Sequence, residues 1–545
     1  MTMGGTADLV LTDARLPGRP EADTVVIADG RIVAVGAAAE VRDLIGAGTD
    51  VRPLGGRTVI PAFQDAHVHP LTGGLEMLRC DLTDLDDRHL VLEAVAAYAA
   101  GNPGASWITG GGWRMDAFPG GTPLAADLDA IVADRPVFLP NRDHHGAWVN
   151  SRALELAGIT ASTPDPADGR IERDERGAPS GVLHEGAMRL VQRLVPAPTL
   201  DEQVDAMLTA QRHLHALGIT AWQDAIVGDY PGTTDPTRVY HELISRGLLT
   251  ARVRGCLWWR RDRGVEQLDD LLHLRTNARP GLALDAVKIM QDGVCENFTA
   301  ATLTPYLGGH GSGISFFEPG ELAEAVTRLH GAGLQVHFHT IGERAVREAL
   351  DAVAAALDRH GPRDLRHHLA HLQIVHPDDV PRFAELGVAA NMQPLWAYND
   401  DQMTELTVPF LGEERAGWQY PFAALHDHGT RLAMGSDWPV SSADPILGIH
   451  VAVNRTTYRP GTDPARYADQ PFLPHQRLTL ETALRAATLG SAYVNHLDAS
   501  TGTLDPSKHA DLAVLDRDPF ALPPEELHTV RVVTTVAAGR IVHDS

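Results

Sequence analysis

Eight short apolar runs in the middle of the chain, most with room for a helix between neighbours, constrain its fold more than any other feature. They are "VIPAFQDAH" (59–67), "GITAWQDA" (218–225), "ARVRGCLWW" (251–259), "LDAVKIMQDG" (284–293), "LQVHFH" (334–339), "LRHHLAHL" (365–372), "GVAANMQP" (387–394) and "TRLAMGSDWP" (430–439). Stretches such as "ELAEAVTRLHGAG" and "RAVREALDAVAAALDRHG" carry the apolar period of a helix. A strand–helix repeat of this kind predicts a parallel sheet, and eight such units predict an α/β fold of the (β/α)8 TIM barrel type. Residues 68–217 separate the first run from the second, far more than one crossover helix needs. An inserted subdomain is therefore expected after barrel strand 1, at about 80–200, with strands in "SWITGGGW" and "RPVFLPN" and a helix after Asn150.

Both chain ends have another texture. "ADLVLTDARL" and "DTVVIADGRIVAVG", with a hairpin turn at Asp29-Gly30, are matched by "ADLAVLDRD" and "VRVVTTVAAGRIVHD" within 510–544. Two β-rich ends around a long middle predict a small β-sandwich built from residues 1–58 and 496–545, with the barrel over 59–495. A formal charge of −25 argues against nucleic acid or an anionic membrane as partner; the short basic cluster Arg260–Arg263 ("RRDR") includes an acid. No run of 18 apolar residues and no signal-peptide pattern is seen. Three scattered cysteines suit a reducing compartment, so a cytoplasmic location is expected, and a homodimer is the commonest assembly for such a chain.

Histidine is the unusual count, at 27, for which chance alone gives about 1.3 His-x-His pairs; the chain has four. Geometry separates them, because residues i and i+2 point the same way on a strand and roughly opposite ways on a helix. His213/His215 and His426/His428 end helical stretches and read as surface or packing residues, whereas His67/His69 and His337/His339 end strands. In a barrel, chemistry gathers at the C-terminal strand ends. The first strand brings His67 and His69 there, the fourth Lys288, the fifth His339, the sixth His371 and the eighth Asp437. Any one of these has an ordinary structural explanation; all at one rim form a metal clamp. Lys288 fits once its chemistry is considered. A buried lysine loses its proton readily, and the free amine can take up CO2 to become a carbamate with two ligand oxygens. Without that modification, Lys288 would stand beside a single-metal site as a substrate contact.

With these residues in place, the chain resembles the metal-dependent amidohydrolase superfamily, in particular its amidohydrolase-3 branch, which includes N-substituted formamide deformylases. The resemblance runs nearly end to end, through "PAFQDAHVHP", "GGWRMDAFPGG", "RPVFLPNRDHHGAWVNSRAL", "VKIMQDG", "VHFHTIGERAV", "HHLAHLQIVHPDD", "LAMGSDWPVSSADP" and "TGTLDPSKHADLAVLDRDPF". It implies that His67, His69 and Asp437 bind one divalent metal, that His339 and His371 bind a second, and that carbamylated Lys288 bridges them, with His337 packing deeper along its strand. Departures from the usual pattern are Ala62-Phe63-Gln64, Pro506-Ser507-Lys508 and Glu343, none of which removes a ligand; Glu343 bears on the hydrogen bonding around His339.

Imidazole and carboxylate ligands suit zinc. The expected reaction is hydrolysis of a C–N bond in an amide, N-substituted formamide or cyclic amide by a metal-activated hydroxide, with Asp437 as general base. For the small-molecule substrate, Trp113, Asp143, His144, His145 and Trp148 of the insertion and Gln393 and Trp396 after strand seven are candidate pocket residues, and Glu185 and Asp224 stand beside them. Two other readings stand beside this one. One is a mononuclear deaminase using His67, His69, His339 and Asp437, and the other a catalytically silent metal-binding or regulatory protein.

Overall fold

The computed structural model describes residues 6–83, 85–228, 230, 234–457 and 470–545. Its centre is an eight-stranded parallel sheet of β1 (Phe63–Val68), β2 (Ile219–Val227), β3 (Arg252–Trp258), β4 (Leu282–Met290), β5 (Gln335–Thr340), β6 (His368–His371), β7 (Ala389–Met392) and β8 (Leu432–Met434), paired in sequence order. These strands are almost wholly buried, as a parallel sheet covered by helices requires. Each of the eight predicted runs supplies one strand of this sheet. The helices between them bury one face each: Leu200–Ala216, opened by a capping box at Thr199 and Glu202, turns Val204, Met207 and Leu214 to the core. Glu343–His360 does the same with Val346, Leu350 and Val353.

The last strand meets the first where they pass beside His67. The Asp437 N–H donates to the His67 carbonyl at 2.7 Å, and the His69 N–H donates to the Trp438 carbonyl at 2.9 Å. Gly435 makes this approach possible, since a Cβ there would lie 2.6 Å from the His67 Cβ. Asp65 pins the same seam: it accepts from the His67 N–H (3.0 Å), the Ser436 N–H (2.9 Å) and the Ser436 hydroxyl (2.5 Å).

The first predicted run holds two strands. Thr58–Pro61 pairs antiparallel with Leu512–Leu515 in a four-stranded sheet completed by the C-terminal strands Val532–Ala537 and Arg540–Asp544. A second four-stranded sheet comes from the N-terminus, and Leu9, Leu11, Val25, Ile27, Leu512 and Val514 pack between the two. The expected sandwich from both chain ends is thus present. The insertion after β1 forms a six-stranded sheet of its own, from Cys80–Asp81 to Pro179–Glu185, over a core that includes Val91, Ile108, Leu139 and Trp148. No helix among the described residues is long and apolar enough to cross a membrane.

Candidate metal centre and its cavity

All six side chains expected at the rim line one cavity of about 460 Å3: His67, His69, Lys288, His339, His371 and Asp437. Asp437 Oδ1 lies 3.1 Å from His67 Nε2 and 3.0 Å from His69 Nε2, and one ligand atom from each of the three falls within 4.8 Å of the others. His371 Nδ1 is 3.8 Å from Asp437 Oδ2, and the His339 and His371 rings are 4.3 Å apart.

What these atoms lack is as informative as where they are. Asp437 Oδ1 and both ring nitrogens of His371 are buried with no hydrogen-bond partner, although buried polar atoms are paired almost everywhere in folded proteins. Buried lone pairs left unpartnered beside one another fit a cation. The second ring nitrogens of the other ligands support this. His67 Nδ1 is 2.9 Å from His337 Nε2, and His339 Nε2 is 3.3 Å from the Gly293 carbonyl, which leaves the opposite nitrogen of each ring available. His337 itself lies deeper, with Nδ1 3.4 Å from the Cys256 thiol.

Electrostatics point the same way. Burial and the Lys288 charge bring His67 down to about 3 despite Asp437, so its ring is neutral and able to bind metal. Burial works against the Asp437 carboxylate, but His67, His69 and His371 outweigh it and hold the group well below the usual range. Lys288 is brought down to about 8 by burial, against the pull of Asp437 and Cys256, and no carboxylate among the described residues lies within 4.0 Å of it. A buried ammonium without an ion-pair partner is costly; the neutral amine is the form that reacts with CO2.

The backbone is strained here. His371, Asp437, His144 and Glu185 adopt left-handed φ values of +79°, +57°, +62° and +50°. Each costs a non-glycine residue about 1–3 kcal/mol, and such positions cluster at functional sites.

The expected pocket residues divide. His144, His145, Glu185 and Trp396 line the cavity, as does Asp143. Trp396 lies parallel to the His371 ring at 5.1 Å. His145 Nδ1 is 2.8 Å from Glu185 Oε1; burial lowers the imidazole, but Glu185 more than offsets it and raises His145 to about 9. Burial and His69 take His144 the other way, to about 4.

Trp113 and Trp148 are a correction: they are core residues of the insertion. Their indole N–H groups donate to the carbonyls of Leu139 (2.8 Å) and Leu124 (2.9 Å), and both rings pack edge-on against Phe118. Gln393 is also off the cavity wall. Its Oε1 accepts from the His371 backbone N–H at 2.6 Å, which holds β6 in place rather than touching a ligand. Asp224 is engaged by the Tyr240 hydroxyl at 2.7 Å. Glu343 accepts from the Leu303 N–H, so the Gly293 carbonyl serves His339 instead.

Sequence reasoning passed over Asp65, whose role depends on strand register, and the cavity residues Arg261, Arg189 and Asp168. The signal for Arg261 was its position, three residues past the end of β3 and hence on the barrel mouth.

Comparison with known proteins agrees with this geometry. Residues 50–543 match the Amidohydrolase family. The chain is 32% identical over 525 residues to Protein LONG AFTER FAR-RED 3 of Arabidopsis thaliana, covering 94% of this chain and 88% of that one. It is 26% identical over 532 residues to an N-substituted formamide deformylase of Arthrobacter pascens, covering 95% and 94%. The crystal structure of an uncharacterized metal-dependent hydrolase from Pyrococcus horikoshii superposes with a TM-score of 0.72 at 26% identity, covering 95% of this chain and 99% of that one.

Proposed function

Because the chain belongs to the amidohydrolase family, we propose that this metal-dependent hydrolase cleaves a carbon–nitrogen bond of a small amide, N-substituted formamide or cyclic amide. The observation that carries the reading is the convergence of His67, His69 and Asp437 on one point, with the Asp437 Oδ1 and both His371 ring nitrogens there buried and unpartnered. His67, His69 and Asp437 would hold one cation, His339 and His371 a second, and Lys288 would bridge them as its carbamate. Divalent ions bound there, zinc suiting these ligands, would acidify a water and polarise the substrate carbonyl.

The remaining chemistry falls to the chain's own residues. Asp437, buried and anionic, takes the proton from the attacking water on a carboxylate oxygen and returns it to the departing nitrogen. His337 fixes the tautomer of His67 through their 2.9 Å contact, and Gln393 holds the His371 backbone. Lys288 reaches its bridging form when the neutral Nζ attacks CO2 and releases one proton to solvent. The insertion supplies His144, His145 and Glu185 to the cavity. The deformylase relative supplies the first substrate class to try, N-substituted formamides.

The three-residue cluster of His67, His69 and Asp437 could also serve a single ion, as in a mononuclear deaminase. The deciding experiment pairs elemental analysis of the purified protein with a product screen over N-formyl amines, longer N-acyl amides and cyclic imides. Two ions per chain are expected, with a carboxylic acid and an amine as products. Asp437→Asn should keep most of the metal and lose about 10^3-fold in turnover. One ion with ammonia release would favour the deaminase; a fully loaded protein that cleaves nothing in the panel would overturn the hydrolase reading.

A further inference from the structure

The cavity that holds the metal-ligating side chains also holds charges with no part in that chemistry. Three carboxylates line it beyond the metal cluster, besides Asp143: Asp168, Glu185 and Asp262. Each has a cation of its own. Asp168 takes Arg189 at 2.7 Å, Asp262 takes Arg260 at 2.6 Å, and Glu185 Oε1 takes His145 at 2.8 Å and the Thr299 hydroxyl at 3.0 Å. Asp143 Oδ1 is engaged by the His145 backbone N–H at 2.8 Å.

Arg261 has no carboxylate within hydrogen-bond distance among the described residues. It is attracted by Glu185 and Asp168 only from farther off, the nearest oxygen being Asp168 Oδ2 at 3.9 Å, already bonded to Arg189. Its Nη2 donates to the Met290 thioether at 2.8 Å, a weak acceptor, and its Nε is buried without a partner. The guanidinium lies 3.4 Å over the Phe316 ring, which fixes its plane. A structural role on Phe316 would explain the stacking but not a donor left unsatisfied beside a cavity. Leaving a guanidinium donor buried with no hydrogen-bonded anion costs free energy that a ligand can recover.

We infer that Arg261 is a specificity-determining anchor for a carboxylate on the substrate, so that the hydrolase acts on amides bearing an acidic group at a distance from the scissile bond. A carboxylate is favoured over a phosphate because one planar fork matches both its geometry and its single charge. The inference rests on the proposed hydrolase reading for the bond that is cleaved, and on the cavity alone for the anchor.

Its test uses hydrolysis-resistant probes on the metal-loaded protein: N-methanesulfonyl ω-amino acids of about three to six carbons and their methyl esters, which match in shape and differ in charge. Isothermal titration calorimetry on the native protein should show the acid binding about tenfold or more tighter than its ester at one or more chain lengths. Arg261→Met should reduce that preference to about twofold or less while leaving ester affinity unchanged, and Arg261→Gln, which keeps a polar group on the Phe316 face, should do the same. Equal affinity for acid and ester at every length, a preference that survives both substitutions, or no binding of any probe would overturn the proposal. Turnover of the matching N-formyl compounds is scored separately. Acid preference without cleavage of any formamide, N-acyl amide or cyclic imide would sink the hydrolase reading and leave the anchor standing; cleavage without acid preference would do the reverse.

Discussion

Glu185→Gln removes the charge that keeps His145 protonated, and its effect can be worked out in advance. In the native fold His145 is raised from 6.5 to about 9, with both partners nearly buried, so solvent screening is small. At about 1.4 kcal/mol per tenfold change in proton affinity, the displacement amounts to about 3 kcal/mol. Because the folded value is the higher one, this stability is complete below pH 6.5 and is lost as pH rises through about 9. In the variant, burial becomes the dominant influence on the ring and pulls it down, so the pH dependence reverses: His145 then loses stability as the solution is acidified. For a chain of 545 residues, about 3 kcal/mol corresponds to about 3 °C in melting temperature. Melting curves of the two metal-loaded proteins between pH 6 and 10 should therefore differ by about 3 °C at the acid end and converge at the alkaline end. A gap that stays constant across that range would refute the ion-pair assignment.

Two further outcomes follow from contacts already described. His337→Phe removes the nitrogen 2.9 Å from His67 Nδ1 and should weaken cation affinity by about 10–100-fold, read by chelator competition; unchanged affinity would mean that His67 needs no such support. Trp148→Ala should cost about 3–5 kcal/mol of stability through the cavity it leaves, with KM unaltered. A raised KM with normal melting would return that indole to the substrate pocket.

The sequence exposed the site better than it exposed the pocket, for a physical reason. Candidate ligands at strand ends follow one local rule, the alternation of side chains along a strand, which separated His67/His69 and His337/His339 from the helical pairs. His215 illustrates the contrast, bonded on its helix to the Ile219 carbonyl and the Thr250 hydroxyl. Pocket residues depend on how loops fold back, and no periodicity reports that. Trp113 and Trp148 were attractive as pocket aromatics, yet a large indole in an inserted sheet serves first as its core. The first apolar run concealed two strands because Thr58–Pro61 and Phe63–Val68 are both buried and only Ala62 separates them; their different sheets follow from pairing with the far C-terminus. Asp65 could not be assigned for the same reason, since its partner Ser436 lies 371 positions away. Arg261 was weighed only as part of a basic cluster, when its location past a barrel strand was the better clue.

The meeting of first and last strands at His67 and Asp437 sets a timetable for the protein's birth. The donors on one side emerge from the ribosome 370 residues before the donor on the other, 437 minus 67. At about 5–20 residues per second, that interval is roughly 20–70 s, during which His67 and His69 have no carboxylate to complete a cage. On the proposed assignment, the cage of His67, His69 and Asp437 would be complete only once the eighth strand has docked, so a cation held there would report that the barrel has closed.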